Sequence, residues 1–171
     1  MNERPISGAM LRGWGFVVAL ASVTLPALPL GPLFAQPPLP LAALWAAYGW
    51  AAEDKSGWQA PALLAGLGLL HDQLAGGPYG LFAALYLSAY LAGRVAAIAM
   101  SAPNLLPLWG GFALTAAASV GVAWLLAPIA IGSRASVRLY AEAAAITALL
   151  FPLVRPLYMG EASRFRGGAR R

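Results

Sequence analysis

The chain has 171 residues, of which 60% are hydrophobic and only 10% are charged, and its mean hydropathy is +0.70. An average soluble domain carries about a quarter charged residues, so a surface of this composition could not face water. The formal net charge is +5, and the absence of cysteine excludes disulfide frameworks, thiolate metal sites and thiol catalysis. The composition therefore predicts a protein whose solvent is lipid.

Three long stretches carry no charged residue and no histidine: residues 13–52, 73–93 and 95–133. A spanning helix needs roughly 20 apolar residues, so the first and third stretches are each long enough for about two passes. In hydrocarbon the backbone must satisfy its own hydrogen bonds, which only helices and closed barrels achieve. Barrel strands alternate apolar and polar residues, whereas these runs are continuously apolar. We therefore predict an all-α membrane protein, a compact bundle of about six transmembrane helices.

The N-terminal segment, residues 1–12, is polar and contains two arginines, and an apolar stretch over 14–30 follows it. This order resembles a signal peptide, with a small-residue site at 34–35. Because charge does not reappear until Glu53, the stretch opens into more membrane, and we favour a retained first span. Six prolines between Leu25 and Leu41 then break the helix and separate it from a short second span, which we expect to be tilted or partly buried.

The remaining spans follow from the charges and turn residues that separate them. We predict the second to sixth spans at about 39–52, 59–70, 81–100, 108–131 and 137–157. The domain organisation is then a cytoplasmic N-terminal segment (1–12), a six-helix transmembrane domain (13–157) and a basic cytoplasmic tail (158–171). With both termini cytoplasmic, nine of the eleven basic residues lie inside and only Arg134 and Arg138 lie outside. The positive-inside rule therefore supports an even number of spans.

The most informative segment is 71–80, which joins the third and fourth spans. Its glycines supply the dihedral angles of a tight turn, and Pro78 can open the next helix. Asp72 is expected to accept hydrogen bonds from the exposed N–H groups at the start of the fourth span. Pinning of this hairpin is the favoured role for Asp72, and partner contact or a proton or ion relay stay open. The candidate structural or partner-contact residues are Asp72, Gly76, Gly77, Pro78, Gly80 and Arg94.

The other polar residues of the spans have modest interpretations. His71 is the only histidine in the sequence, which is too few for a zinc site, and we predict an interfacial side chain. Arg94 is expected to extend to the cytoplasmic interface, and an intramembrane ion pair is the alternative, for which Asp72 is a poor partner. Arg138 and Glu142 are four residues apart and can pair on one helix face.

Nothing in the sequence has the pattern of an active site. The hydroxyl residues of the apolar stretches have no adjacent histidine that would activate them as nucleophiles: Ser22, Thr24, Ser88, Ser101 and Ser119. There is no phosphate-binding loop motif. We therefore predict no catalytic, cofactor-binding or metal-binding residue. The arginines of the C-terminal tail are expected to attract anionic lipid headgroups, and no nucleic-acid partner is predicted.

Residues 67–94 resemble the MreD family of rod-shape-determining membrane proteins. The family pattern is a small-residue helix with a G-L-x-x-D element, a short G-[GS]-P-x-G turn and a helix that ends in arginine, matched here by the runs 68–72 and 76–80 and by Arg94. The Pro-rich turn upstream, the run 44–48 and the run 138–140 are also similar to the family. His71 departs from the pattern, because the family usually has an apolar residue there.

The resemblance implies a non-enzymatic scaffold subunit of the cell-wall elongation complex in the bacterial inner membrane. It implies MreC as the main partner, together with MreB, the RodA glycosyltransferase and its penicillin-binding transpeptidase. It also implies a fold similar to the S-components of energy-coupling-factor transporters. The alternatives are a substrate-binding membrane subunit of a vitamin or metal transporter, which would need a pocket with convergent polar groups, and an intramembrane enzyme, which would need a catalytic pair.

If the chain is a scaffold, recognition between helices is its mechanism. Small residues let helix backbones approach closely in a bilayer. We therefore predict that two small-residue faces pack against a partner span: one formed by Ala62, Ala65 and Gly66, the other by Gly110 and Gly111.

Overall fold

The computed structural model describes residues 8–25, 41–53, 57–75, 78–99, 105–131 and 136–159, and all regular structure in these ranges is helical. The prediction of an all-α protein is confirmed. Within these described ranges, six α-helices follow one another: α1 (Gly8–Thr24), α2 (Ala42–Glu53), α3 (Gln59–Ala75), α4 (Leu81–Ala99), α5 (Leu105–Ile131) and α6 (Val137–Tyr158).

Three of these helices, α4, α5 and α6, are long and apolar enough to cross a membrane. The outer surface of the bundle exposes large apolar side chains, with Ile98 81% and Leu153 76% accessible. Soluble proteins rarely expose extensive apolar surface, so this exterior is suited to lipid. Helices α1, α2 and α3 are shorter, with 17, 12 and 17 residues. That all six helices cross the bilayer stays a prediction.

Helix α2 forms the centre of the bundle. Each side chain over 42–51 is buried, and α2 packs against α1, α3, α4 and α6. A helix that is apolar on all sides needs neighbours on all sides, and the Ala, Leu, Trp and Tyr residues of α2 give no polar face to present outward. The prediction that the short second helix is buried against its neighbours is confirmed.

Aromatic rings join α2 to α5 and α6. The ring of Tyr48 meets Phe112 and Phe151 edge to face at centroid distances of 5.4 and 5.8 Å, and these two phenylalanines stack on each other at 4.1 Å. Such ring pairs stabilise a core beyond the area that they bury. The cluster holds the middle of α5 and α6 against the central helix.

The end of α6 lies beside the middle of α1 and the second half of α2. A Cβ atom added at Gly49 would lie 2.5 Å from Cβ of Tyr158, and one added at Gly15 would lie 2.8 Å from its ring. These two glycines create the space that the tyrosine fills. The last turn of α6 is therefore held against both α1 and α2.

Several helix boundaries differ from those predicted. Helix α1 begins at Gly8, inside the segment 1–12 predicted to be a polar extension, and α5 begins at Leu105 rather than at 108. Pro107 is accommodated in the first turn of α5, where N–H groups have no acceptor within the helix. Helix α3 runs to Ala75 rather than ending at residue 70. The proposed cleavage point at 34–35 and the tail from 160 onward lie outside the described residues.

Candidate functional site

Asp72 lies in the last part of α3 and connects this helix to the beginning of α4. Its Oδ2 accepts a 2.7 Å hydrogen bond from the backbone N–H of Gly80, and its Oδ1 accepts a 2.9 Å bond from the N–H of Phe82. The residue is only 1% exposed. The predicted hydrogen bonds from the start of the fourth helix are therefore confirmed.

These bonds provide a cap for α4 from a neighbouring helix. The first N–H groups of any helix have no partner within it, and the helix dipole favours a negative charge at that end. Asp72 supplies acceptors for Gly80 and Phe82, while the N–H of Leu81 donates to the carbonyl of Pro78 at 3.3 Å. We call this arrangement the Asp72 cap.

The turn before α4 needs a glycine at one described position. Gly80 has a φ of +89°, in the left-handed region that side chains rarely adopt. Pro78 and Tyr79 are exposed, and the hydroxyl of Tyr79 donates a 3.3 Å hydrogen bond to Oε1 of Gln73. The candidate residues Gly76 and Gly77 lie outside the described residues.

Close packing of α3 on α4 accompanies the Asp72 cap. Gly68 is buried, and a Cβ atom there would overlap the backbone N and Cα of Ala83. Because Gly68 has no side chain, the two helix backbones can approach closely enough for Asp72 to reach the start of α4. One small residue and one carboxylate thus define the geometry of the hairpin.

His71 is half-buried and packs against α4. Its ring stacks on Phe82 with centroids 3.7 Å apart and an interplanar angle of 14°. Its Nδ1 lies 2.5 Å from the hydroxyl oxygen of Tyr86, a hydrogen bond in which either group can donate, depending on the imidazole tautomer. The prediction treated this residue as an interfacial side chain, whereas the structure gives it a ring partner and a hydroxyl partner on the next helix.

The imidazole of His71 forms part of the wall of a cavity of about 200 Å³. Helices α2 to α6 all contribute to this wall. When the imidazole of His71 is neutral, none of the described lining residues carries a formal charge. The polar lining groups are His71, Tyr86, Ser119 and Tyr140, and the apolar ones are Leu41, Leu44, Phe82, Leu85, Val120, Ala123, Leu139 and Ala143. The fold therefore brings Ser119 and His71, which are distant in sequence, to one cavity.

Arg94 is exposed near the far end of α4. Because Asp72 binds the first turn of this helix, Arg94 lies 12 residues beyond Phe82, or about 18 Å along the helix axis. The expectation that these two residues do not pair agrees with this placement. Extension of Arg94 to the membrane interface stays a prediction.

The ion pair predicted on α6 is confirmed. Nε of Arg138 lies 2.6 Å from Oε1 of Glu142, four residues along the helix, and both side chains are accessible. Pairs of this kind contribute little to stability. The pairing reduces the free-energy cost of placing the Glu142 carboxylate at the membrane edge.

Thr147 is a structural residue that the sequence reasoning missed. Its Oγ1 accepts a 2.9 Å hydrogen bond from the N–H of Leu41, just before α2, and its backbone carbonyl accepts a 2.7 Å bond from Nε1 of Trp45. Thr147 is fully buried. A lone threonine in an apolar helix was the only sequence signal, and it does not indicate which helix the hydroxyl meets.

The two predicted small-residue faces have different environments. Ala62 and Gly66 are exposed on α3, and Gly66 has open space where a Cβ would stand. Gly110 is likewise open on α5. By contrast, a Cβ at Gly111 would lie 2.6 Å from the Tyr48 hydroxyl, so this glycine serves packing within the bundle rather than a partner, contrary to the prediction.

The fold and these sites define the class of protein: a helical bundle with membrane-compatible helices, a carboxylate-capped hairpin and a partly open, uncharged cavity. Within the described ranges, no group of three or more His, Cys, Asp or Glu side chains could hold a metal ion. No protein-family model, curated protein or solved structure matches the chain.

Proposed function

We propose that this chain is a non-enzymatic scaffold subunit of the bacterial cell-wall elongation complex, similar to the MreD family. In this proposal it lies in the inner membrane with both termini cytoplasmic, binds MreC, and links RodA and its transpeptidase partner to MreB. The support is that the family-like segment 67–94 coincides with the α3–α4 hairpin and that the aspartate of its motif has a defined role there.

The observation that carries the proposal is that the Asp72 carboxylate is held at the start of α4 through both of its oxygens. Each accepts a backbone N–H bond, and the residue is almost completely buried. A proton or ion relay needs a carboxylate that exchanges its ligand or its proton, whereas this one is committed to the start of α4. The arrangement favours an architectural role, in which the Asp72 cap presents a rigid hairpin to a partner.

The outer face of α3 is the partner surface that we propose. Ala62 and Gly66 are exposed one turn apart, and large apolar side chains at Leu63 and Leu70 border them. Small residues flanked by leucines allow a second transmembrane helix to approach closely and gain dispersion contacts. We propose that a membrane-spanning helix of the MreC-like partner packs on this face.

Membrane orientation in the proposal rests on charge. Nine of the eleven basic residues lie in segments that the six-span topology assigns to the cytoplasmic side, and five of them lie in residues 155–171. Cytoplasmic leaflets are anionic, so this cluster favours the orientation energetically.

The direct test is depletion of the protein in a rod-shaped host, scored for rounding and for loss of co-purifying MreC. Complementation should then compare Asp72→Ala with Gln73→Ala, a neighbour exposed on the same helix. We expect Gln73→Ala to restore cell width and MreC recovery and Asp72→Ala to restore neither. Normal width and unchanged MreC recovery in the Asp72→Ala strain would contradict the proposal.

A photo-crosslinking residue tests the partner surface separately. Placed at Gly66 on the outer face of α3, it should yield an MreC adduct, whereas placement at exposed Leu153 on α6 should not. Equal adducts at both positions, or an adduct only at Leu153, would exclude the α3 surface.

The cavity is the one feature that favours a second candidate, a solute-binding transport subunit. Its described lining contains a single imidazole and no carboxylate, so a metal cargo is disfavoured. In that case depletion would impair growth on a particular solute and leave cell width unchanged.

A further inference from the structure

The wall of the cavity contains a serine hydroxyl group without a hydrogen-bond partner among the described residues. Ser119 is 6% exposed, lies on α5, and its side chain makes no hydrogen bond with any described residue. Buried polar groups are nearly always hydrogen-bonded, and leaving one unsatisfied costs free energy. The hydroxyls of Tyr48 and Tyr158 and the indole N–H of Trp50 are also without a partner, but none of these three groups lies in the wall of the cavity.

Comparison with the other hydroxyl residues of the helices makes Ser119 distinctive. In an apolar helix, serine and threonine usually donate to a carbonyl one turn earlier. All the other described Ser and Thr side chains within α1 to α6 do so: Ser22, Thr24, Ser88, Thr115 and Thr147. Ser119 makes no such bond within its own helix, and it lies in the wall of the cavity.

Water is a poor occupant of this site. A buried water typically needs two to four polar partners, and most of the lining is hydrocarbon from Leu44, Leu85 and Val120. Of the four polar lining groups, His71 and Tyr86 already bond to each other, so only Ser119 and Tyr140 remain. An ion is also a poor occupant, because no described lining residue carries an opposite charge and the oxygens of nearby Asp72 are taken by α4.

We propose that the cavity is a binding site for a small neutral molecule with an aromatic or short aliphatic body and one hydroxyl group, which hydrogen-bonds to Ser119. A cavity of about 150 Å³ accommodates benzene, so a cavity of about 200 Å³ accommodates a ring with one substituent. The apolar walls bind the body of the ligand, and the serine, which both donates and accepts, matches a hydroxyl. This site does not depend on the scaffold role proposed above.

The site can be probed with 4-fluorophenol and fluorobenzene, which differ only in the hydroxyl group. The purified full chain in detergent is titrated with each compound, and binding is followed by ¹⁹F nuclear magnetic resonance. We expect a saturable bound signal for 4-fluorophenol and an affinity for fluorobenzene about fivefold weaker, the value of one net hydrogen bond.

Three variants assign the signal to the cavity. Ser119→Ala should weaken the binding of 4-fluorophenol about fivefold and leave the affinity for fluorobenzene unchanged. Ser88→Ala removes a hydroxyl that is already bonded within its own helix, so it should alter neither affinity. Ala123→Phe fills the cavity and should abolish saturable binding of both. Retention of helical content by circular dichroism checks that each variant folds.

The outcomes separate the possibilities. Equal affinity of the two probes, or an unchanged 4-fluorophenol affinity in Ser119→Ala, would overturn recognition of a hydroxyl by this serine. The absence of a saturable signal in the parent protein, or its persistence in a folded Ala123→Phe variant, would mean partition into the micelle only and would overturn the site itself.

Discussion

The indole Nε1 of Trp109 on α5 donates a 2.8 Å hydrogen bond to the backbone carbonyl of Ala148 on α6. In a regular helix that carbonyl would accept from the N–H four residues later, but residue 152 is a proline and has no N–H. In lipid an unpaired carbonyl is costly, because no water can satisfy it. The tryptophan thus supplies the donor that the proline removes.

Replacement of Trp109 by Phe should expose this relationship. The variant leaves the Ala148 carbonyl without a donor, and we expect the free energy of unfolding in detergent to fall by about 1–3 kcal/mol. Trp58→Phe is the matched control, because that side chain is 74% exposed, and it should have little effect. In a Pro152→Ala background the cost of Trp109→Phe should shrink, since residue 152 then provides an N–H. An undiminished cost in that double-mutant cycle would refute the compensation.

The Asp72 cap should make a large contribution to stability. Asp72→Ala removes two charge-assisted hydrogen bonds from the start of α4, and we expect a loss of about 3 kcal/mol in the free energy of unfolding. Asp72→Asn keeps one acceptor oxygen and should lose less. Unfolding curves in detergent measure both, and Gln73→Ala on the exposed face serves as the control. A smaller loss for Ala than for Asn would be inconsistent with the cap.

Two glycines of α3 offer a matched pair of substitutions. Gly68→Ala places a methyl group against the backbone of Ala83, so the helices must separate, and we expect destabilisation by about 1–3 kcal/mol. Gly66→Ala meets open space and should be neutral or stabilising by about 0.5–1 kcal/mol, because alanine restricts the unfolded chain. Thermal unfolding of the two variants side by side tests this, and equal melting temperatures would contradict close α3–α4 packing.

Thr147 should stabilise the start of the central helix. Thr147→Val preserves the shape but removes the acceptor for the Leu41 N–H, and we expect a loss of about 1–2 kcal/mol, similar to that of an N-cap. Hydrogen exchange at the Leu41 amide should accelerate in parallel. Thr115→Val is the control, because that hydroxyl bonds only to Gly111 of its own helix. Unchanged exchange at Leu41 would argue against the capping role.

The sequence predicted the hairpin better than the cavity. Asp72 could be assigned to the start of the next helix because a carboxylate eight residues before Gly80, with a proline and glycines between them, has few other N–H groups within reach. The Arg138–Glu142 pair was predictable for the same reason, since its spacing is local. The end of α3 was predicted too early, at residue 70 instead of Ala75. The polar residues 71–73 suggest a turn when their partners on α4 are not known.

Contacts between distant helices were beyond the sequence. The bond from Leu41 to Thr147 joins residues 106 positions apart, and nothing in either neighbourhood specifies the other. The prediction for Gly111 was wrong for a similar reason. A glycine that makes room for Tyr48 within the bundle and a glycine on a partner-binding face look alike in sequence.

The sequence alone determined the helical class and the apolar character of the long helices, because those depend on hydropathy and backbone hydrogen bonding summed over many residues. It also determined the local cap, because the cap joins residues close in the chain. Only the tertiary structure decided that α2 is central and that Ser119 meets His71 at one cavity. Both depend on how each helix is rotated about its axis, and that rotation is set by packing against all its neighbours at once.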